Sequence, residues 1–156
     1  MKDYGTLHEL NGRYILKFER LFSVNPEVVF SILTSPGHFM QWYPFATGKM
    51  DVKLGGQIAF DDGEGTTYTA TITELEKPYL FSFREVNDLI NISLEEDNQG
   101  CKMKFIHTFD DVSWAVNTAA GWHQCLDAFS QIVNGEAANW QNNAAELREI
   151  YSKAFS

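Results

Sequence analysis

The stretch from Val112 to Asn134 constrains this chain more than any other. Within it Ala119, Trp122, Leu126, Phe129 and Val133 recur at steps of three and four, the spacing that lines up side chains on one face of a helix. Gly121, Cys125, Ala128 and Ile132 widen the apolar stripe, while His123, Gln124, Asp127, Ser130, Gln131 and Asn134 fall on the other side. Gly135 follows, and glycine accepts the left-handed backbone that ends a helix. A helix with so broad an apolar face needs an extended surface to cover it. The upstream sequence reads as strands that supply one.

Residues 4–22 begin with a hairpin signal, because Asn11-Gly12 tolerates the positive φ angles of a two-residue turn. Beyond it Tyr14, Leu16, Phe18 and Phe22 share one strand face and Lys17 and Glu19 the other, with Leu7 and Leu10 in a short first arm. Asn25-Pro26-Glu27 then combines a capping side chain, a proline suited to the first helical position and an acid that complements the dipole. Val28, Val29, Ile32 and Leu33 give this short helix its apolar side. A second start, Ser35-Pro36-Gly37, leads into Phe39, Met40, Trp42 and Tyr43, and Pro44 ends it.

From about residue 48 the period changes to two. Gly55-Gly56 and Asp61–Gly65 are turns flanking Ile58 and Phe60. Thr67, Thr69, Thr71 and Thr73 alternate with Tyr68, Ala70 and Ile72, as in a half-buried strand. Glu76-Lys77-Pro78 turns the chain; Phe81 and Phe83 share a face, then Ile90, Ile92 and Leu94. After the turn Asn98-Gln99-Gly100, one face carries Cys101, Met103, Phe105, His107 and Phe109, and the other Lys102 and Lys104. The links are too short for crossover helices, so an antiparallel meander is expected. Glu136 to Phe155 reads as a terminal helix through Trp140, Ala144, Leu147 and Tyr151.

Length and charge bound the function. A chain of 156 residues suits one domain with a full core. Net charge −9 argues against nucleic acid and anionic membrane surfaces, both of which need a basic footprint. No run approaches the length of a membrane span and no signal peptide opens the chain, so a cytoplasmic protein is expected. Cys101 and Cys125 form no C-x-x-C pair and read as small buried thiols. His8, His38, His107 and His123 lack metal-ligand spacing, and Asp61–Gly65 is no EF-hand loop. No P-loop, dinucleotide fingerprint or Gly-x-Ser-x-Gly occurs. Neither metal nor cofactor is expected, and no catalytic residue is assigned.

The order of strand, two short helices, long antiparallel sheet and long helix resembles the START-like, birch-allergen-like helix-grip (SRPBCC) superfamily. Within it the chain resembles the family named for the activator of the heat-shock protein 90 ATPase. Asn25-Pro26-Glu27-Val28-Val29-Phe30 is similar to that family's Pro-x-x-Val-Trp, with Phe30 in place of Trp. Leu33-Thr34, Pro36 and Gln41-Trp42-Tyr43-Pro44 resemble its Leu-Thr-x-Pro and x-Trp-x-Pro. Leu54-Gly55-Gly56 and Gly121-Trp122 with Leu126 match its Gly-Gly and Gly-Trp elements, and Tyr4-Gly5-Thr6-Leu7 resembles a bacterial subgroup. The resemblance implies an α+β helix-grip fold, a curved antiparallel sheet of six to seven strands around the long helix. It implies one START-like domain over 1–156, with a hairpin arm at 1–12 and an extra C-terminal helix at 136–156.

The resemblance also implies a cavity between sheet and helix. Its expected wall is Trp42, Phe60, Tyr68, Phe81, Phe83, Phe105, His107, Trp122 and Leu126. His107 faces inward only if Met103 and Phe105 do, since strand side chains alternate. The same residues equally suit a filled, Phe-rich core, and a buried imidazole must find partners in either case. If the cavity is open, its ligand is a small hydrophobic molecule, lipid-like or planar aromatic, with His107, Tyr68 and the indole N–H groups of Trp42 and Trp122 as polar handles. A co-chaperone-type module with a protein partner and a cyclase- or hydrolase-like enzyme are the alternatives, and of the wall residues only His107 qualifies as acid or base.

Overall fold

The computed structural model describes residues 3–156; Met1 and Lys2 of the expected hairpin arm lie outside the described residues. The chain runs β1 (Thr6–Leu10), β2 (Arg13–Phe22), α1 (Pro26–Leu33), α2 (Pro36–Trp42), β3 (Ala46–Met50), β4 (Gln57–Asp61), β5 (Thr67–Glu76), β6 (Leu80–Glu85), β7 (Asp88–Asp97) and β8 (Gly100–Phe109). A single 3-10 turn (Val112–Trp114) leads into α3 (Ala115–Val133), and α4 (Ala144–Ala154) follows. The strands form one sheet in the order β1-β2-β8-β7-β6-β5-β4-β3. Every pairing is antiparallel, so the meander closes through β2 and β8, whose register sets Phe18 opposite Phe105 and Leu16 opposite His107.

The sheet has eight strands rather than six to seven. The short edge strands β1 and β3 make the difference. β1 is exposed along almost its whole length, and β3 pairs with β4 across an irregularity. Backbone pairing to a neighbour forms both, so neither carries much hydrophobic alternation of its own.

The inner face of the curved sheet holds Leu16, Phe18, Ile58, Phe60, Ala70, Ile72, Phe81, Phe83, Ile90, Ile92, Met103 and Phe105, all buried. The long helix α3 lies across it with Ala119, Trp122, Leu126, Phe129 and Val133 buried, widened by Cys125, Ala128 and Ile132. α1 and α2 close the remaining side through Val29, Phe30, Leu33, Phe39 and Trp42. Asn25 caps α1 by accepting from the Val28 amide at 3.1 Å. The Gly55-Gly56 turn needs both glycines for different reasons. Gly55 sits at φ +81°, and a Cβ on Gly56 would lie 1.9 Å from the Asp51 carbonyl oxygen. Both cysteines are free and buried; burial pushes the Cys101 thiol up to about 11 and Cys125 to about 12, leaving inert thiols.

Two corrections concern the C-terminal part. α4 starts at Ala144, not near Glu136. The intervening chain is held irregular by side-chain bonds to α3: Gln131 Oε1 accepts from the Asn139 amide at 2.6 Å, and Gln124 Nε2 donates to the Gln141 carbonyl at 3.1 Å. His123, assigned by periodicity to the polar side of the long helix, is buried. Its Nδ1 lies 2.8 Å from the Tyr151 hydroxyl of α4, which also accepts from the Gly5 amide at 2.8 Å. The second helix gives that side of α3 a cover which its own period does not reveal. No helix among the described residues is long and apolar enough to cross a membrane.

Candidate functional site

Alternation along the strands places the functional side chains. Tyr68 near the start of β5, Glu85 at the end of β6, Asp88 at the start of β7, and His107 and Phe109 at the end of β8 occupy inward-facing positions at the same end of the sheet. There the 3-10 turn and the first turn of α3 bring Trp114 and Thr118 opposite them. Together with Val86, Asn87, Asp110 and Asp111 these residues line a concavity of about 580 Å³, within the range of small-molecule sites.

His107 forms its floor, and both ring nitrogens are engaged. Nδ1 accepts the Trp122 indole N–H at 3.0 Å. An indole nitrogen only donates, so the ring proton sits on Nε2, 3.0 Å from Asp88 Oδ2. The His107 and Trp122 rings meet edge-on, centroids 5.8 Å apart at 89°, so α3 fixes the orientation of an imidazole carried by β8. Beside it Glu85 accepts from the Tyr43 hydroxyl at 3.0 Å. Burial pushes the Glu85 carboxyl above its ordinary range; Tyr43 and His107 pull it back, and Asp88 adds a smaller upward push. Burial, with the charge of Glu85, holds the Tyr68 phenol up at about 12.

Of the expected wall, His107 and Tyr68 reach this concavity. Trp122 stands behind His107 as its hydrogen-bond donor. Trp42, Phe60, Phe81, Phe83, Phe105 and Leu126 lie deeper, each no more than 1% exposed. There the rings touch one another: Phe105 and Trp122 at 4.8 Å, Trp42 and Phe129 at 4.9 Å, Phe60 and Tyr68 stacked at 4.9 Å. The Trp42 indole N–H, one of the expected polar handles, is buried with no hydrogen-bond partner among the described residues.

Sequence reasoning did not select Glu85, Asp88, Phe109, Trp114 or Thr118 as site residues. Glu85-Val86-Asn87-Asp88 is a hairpin whose two-residue turn makes Glu85 and Asp88 partners. Its chemistry hides the turn, since Val86, a β-branched residue, takes φ +53°, where glycine or asparagine is usual. Period-two alternation back from Ile90 was the signal that turns Asp88 inward. Among the described residues no group of three His, Cys, Asp or Glu side chains is arranged to hold a metal ion.

A family profile described as Activator of Hsp90 ATPase homolog 1-like protein matches residues 23–134, from the end of β2 to the end of α3. A comparison with curated proteins gives no match. Among solved structures, a conserved protein of unknown function from Enterococcus faecalis superposes with TM-score 0.84 at 18% identity, over 97% of this chain and 90% of its own. CalU16 from Micromonospora echinospora gives TM-score 0.74 at 17% identity, covering 96% and 94%. The Aha1 dimer from Colwellia psychrerythraea gives 0.64 at 14%, covering 76% and 95%. At these identities the likeness establishes the fold.

Proposed function

The chain belongs to the Activator of Hsp90 ATPase homolog 1-like family, and from that premise we propose that it binds a small, largely apolar molecule in the concavity between the sheet end and the start of α3. The observation that carries this reading is His107: a buried imidazole held from both sides by Trp122 and Asp88 at the floor of a concavity rimmed by the exposed ring of Trp114. With both its nitrogens engaged the imidazole fixes Asp88 at the floor, and the rings around it supply contact area for a ligand. Of the deeper wall residues, Phe105 packs against Trp122, the donor to His107, at 4.8 Å, and Phe60 stacks on Tyr68 at 4.9 Å. A ligand of about 20 heavy atoms at roughly 0.3 kcal/mol each binds with about 6 kcal/mol, a dissociation constant of order tens of micromolar.

The test is a thermal-shift screen against lipid-like, sterol and planar aromatic compounds, with Trp114→Ala as control because that side chain is 61% exposed and its loss spares the core. A ligand at 100 times its dissociation constant adds about 2.7 kcal/mol of apparent stability. Stabilisation reduced in the variant supports the reading; no stabilisation by any class defeats it.

A second reading has its own support. Val86 and Trp114 are exposed together around the mouth, an apolar rim suited to a protein surface, and the family takes its name from an activator of the Hsp90 ATPase. Acceleration of that ATPase by this chain, abolished by Val86→Asp with Trp114→Ala, is the outcome that would favour it. An enzymatic role would rest on His107, and unchanged turnover of a discovered substrate by His107→Ala would remove it.

A further inference from the structure

Among the described residues, every charged side chain lining the concavity is acidic: Glu85, Asp88, Asp110 and Asp111, with no lysine or arginine. One of these carboxylates has a cationic partner, and a second is spent on capping a turn. Asp110 Oδ1 receives Arg13 Nε at 2.7 Å from the neighbouring groove. Asp111 caps the turn before α3, accepting from the Ser113 amide at 3.0 Å and its hydroxyl at 2.7 Å. Glu85 and Asp88 differ. Their donors are the Tyr43 hydroxyl and the His107 Nε2–H, and among the described residues no lysine or arginine pairs with either. Arg84, near them in sequence, lines the groove on the outer side of the turn with Arg13 and not the concavity.

The remaining wall is aromatic. Phe109 is buried beside His107, with ring centroids 5.1 Å apart, Tyr68 is half-buried, and Trp114 stands open to solvent. Ring faces carry the negative part of the aromatic quadrupole, so they attract cations and repel anions, and tryptophan does so most strongly. Two carboxylates without a lysine or arginine partner and three rings around one concavity share a preference, while a carboxylate or phosphate ligand would meet like charge with no arginine fork or lysine to receive it.

Building on the binding reading above, we propose that the ligand of this concavity is an organic cation, an amine or quaternary ammonium group on an apolar body. The cationic group lies between Glu85 and Asp88, and the apolar body rests against Tyr68, Phe109 and Trp114. Fatty acids and phosphorylated metabolites are excluded as ligands of this site by the same charges.

The experiment uses three probes of matched body: phenylbutylamine, phenylbutanol and phenylbutyrate. Each is titrated into the whole chain and followed by NMR at the indole N–H signals of Trp114 and Trp122. The expected order is amine, alcohol, carboxylate, with the amine about tenfold tighter than the alcohol and weakened by added salt while the alcohol is not. Glu85→Gln and Asp88→Asn, made separately so that one folded variant suffices, are expected to reduce that advantage to about threefold or less. Equal binding of amine and alcohol, or tightest binding of the carboxylate, overturns the cation proposal and leaves a ligand site. An advantage for the amine that survives in both variants also overturns it. Absence of any response at the two indoles to all three probes overturns both the proposal and the binding reading beneath it.

Discussion

At Val86 the chain places a β-branched side chain at φ +53° and leaves it 83% exposed. The left-handed region costs such a residue on the order of 1–2 kcal/mol, and burial returns almost nothing. Val86→Asn, which accepts that backbone more readily, is expected to raise stability by about 1 kcal/mol in urea unfolding. A decrease would mean that the valine makes a stabilising contact. Trp122 poses the opposite case. Trp122→Phe keeps most of the ring packing against Phe105 but removes the N–H that His107 Nδ1 accepts. A buried acceptor left without a donor costs about 1–3 kcal/mol, so a loss of that size is expected in the same assay. A loss under about 0.5 kcal/mol would mean that the imidazole flips or finds water.

α3 holds the sheet and the site together, yet it carries Gly121 in its interior. A Cβ added there meets nothing within 4 Å. Glycine within a helix costs roughly 0.5–1 kcal/mol relative to alanine. Gly121→Ala is therefore expected to raise the unfolding midpoint by a corresponding amount, and a fall would reveal a packing or ligand contact at that point of the helix. α4 is secured chiefly by Leu147 and Tyr151, its two buried residues. The Tyr151 hydroxyl ties the Gly5 amide and His123 into one cluster. Beside it Arg20, buried on the inner face of β2, lies 3.4 Å from Asp127 and donates to the Asp3 carbonyl at 3.0 Å. Tyr151→Phe strands the Gly5 amide and an imidazole nitrogen. It is expected to cost about 1–3 kcal/mol, with amide exchange rising first in α4 and around Gly5; uniform exchange would show that α4 does not open separately.

For the whole molecule, two partly buried groups, His123 and Glu85, make opposed contributions to the pH dependence of stability. Burial lowers the pKa of His123 below its ordinary 6.5; Asp127 and Asp3 push it back up, while Arg20 adds a further downward push. The folded chain thus prefers the neutral ring, and the unfolded chain binds more protons below about 6.5. This contribution is fully present above 6.5 and is lost as pH falls through the lowered value. Glu85 acts the other way. Its carboxyl is raised above 4.5 in the folded chain, so its contribution is most favourable below 4.5 and is lost as pH rises through the raised value. His123→Gln, compared with the unaltered chain between pH 7.5 and 5, roughly, isolates the first effect: the variant is expected to lose less stability on acidification. Parallel curves would show that His123 takes up its proton without cost. Glu85→Gln should abolish the opposite slope.

Much of the architecture was legible because periodicity is a local property. The stripe on α3 and the alternation of β5, β7 and β8 each stand within one segment, and that spacing carries the face that becomes buried. The same reasoning turned His107 inward with Met103 and Phe105. What escaped was whatever depends on a partner from elsewhere in the chain. The edge strand β3 exists through pairing with β4, and His123 is buried because α4 covers it. Glu85 and Asp88 enter the site because the β6–β7 register brings them to the end of the sheet where His107 and the start of α3 also meet. Segment by segment, the chain specifies which faces turn inward. Which side chains stand together at the open end is settled only when the strands are paired and α3 is laid across them, because proximity between distant residues arises from packing and register rather than from any single stretch.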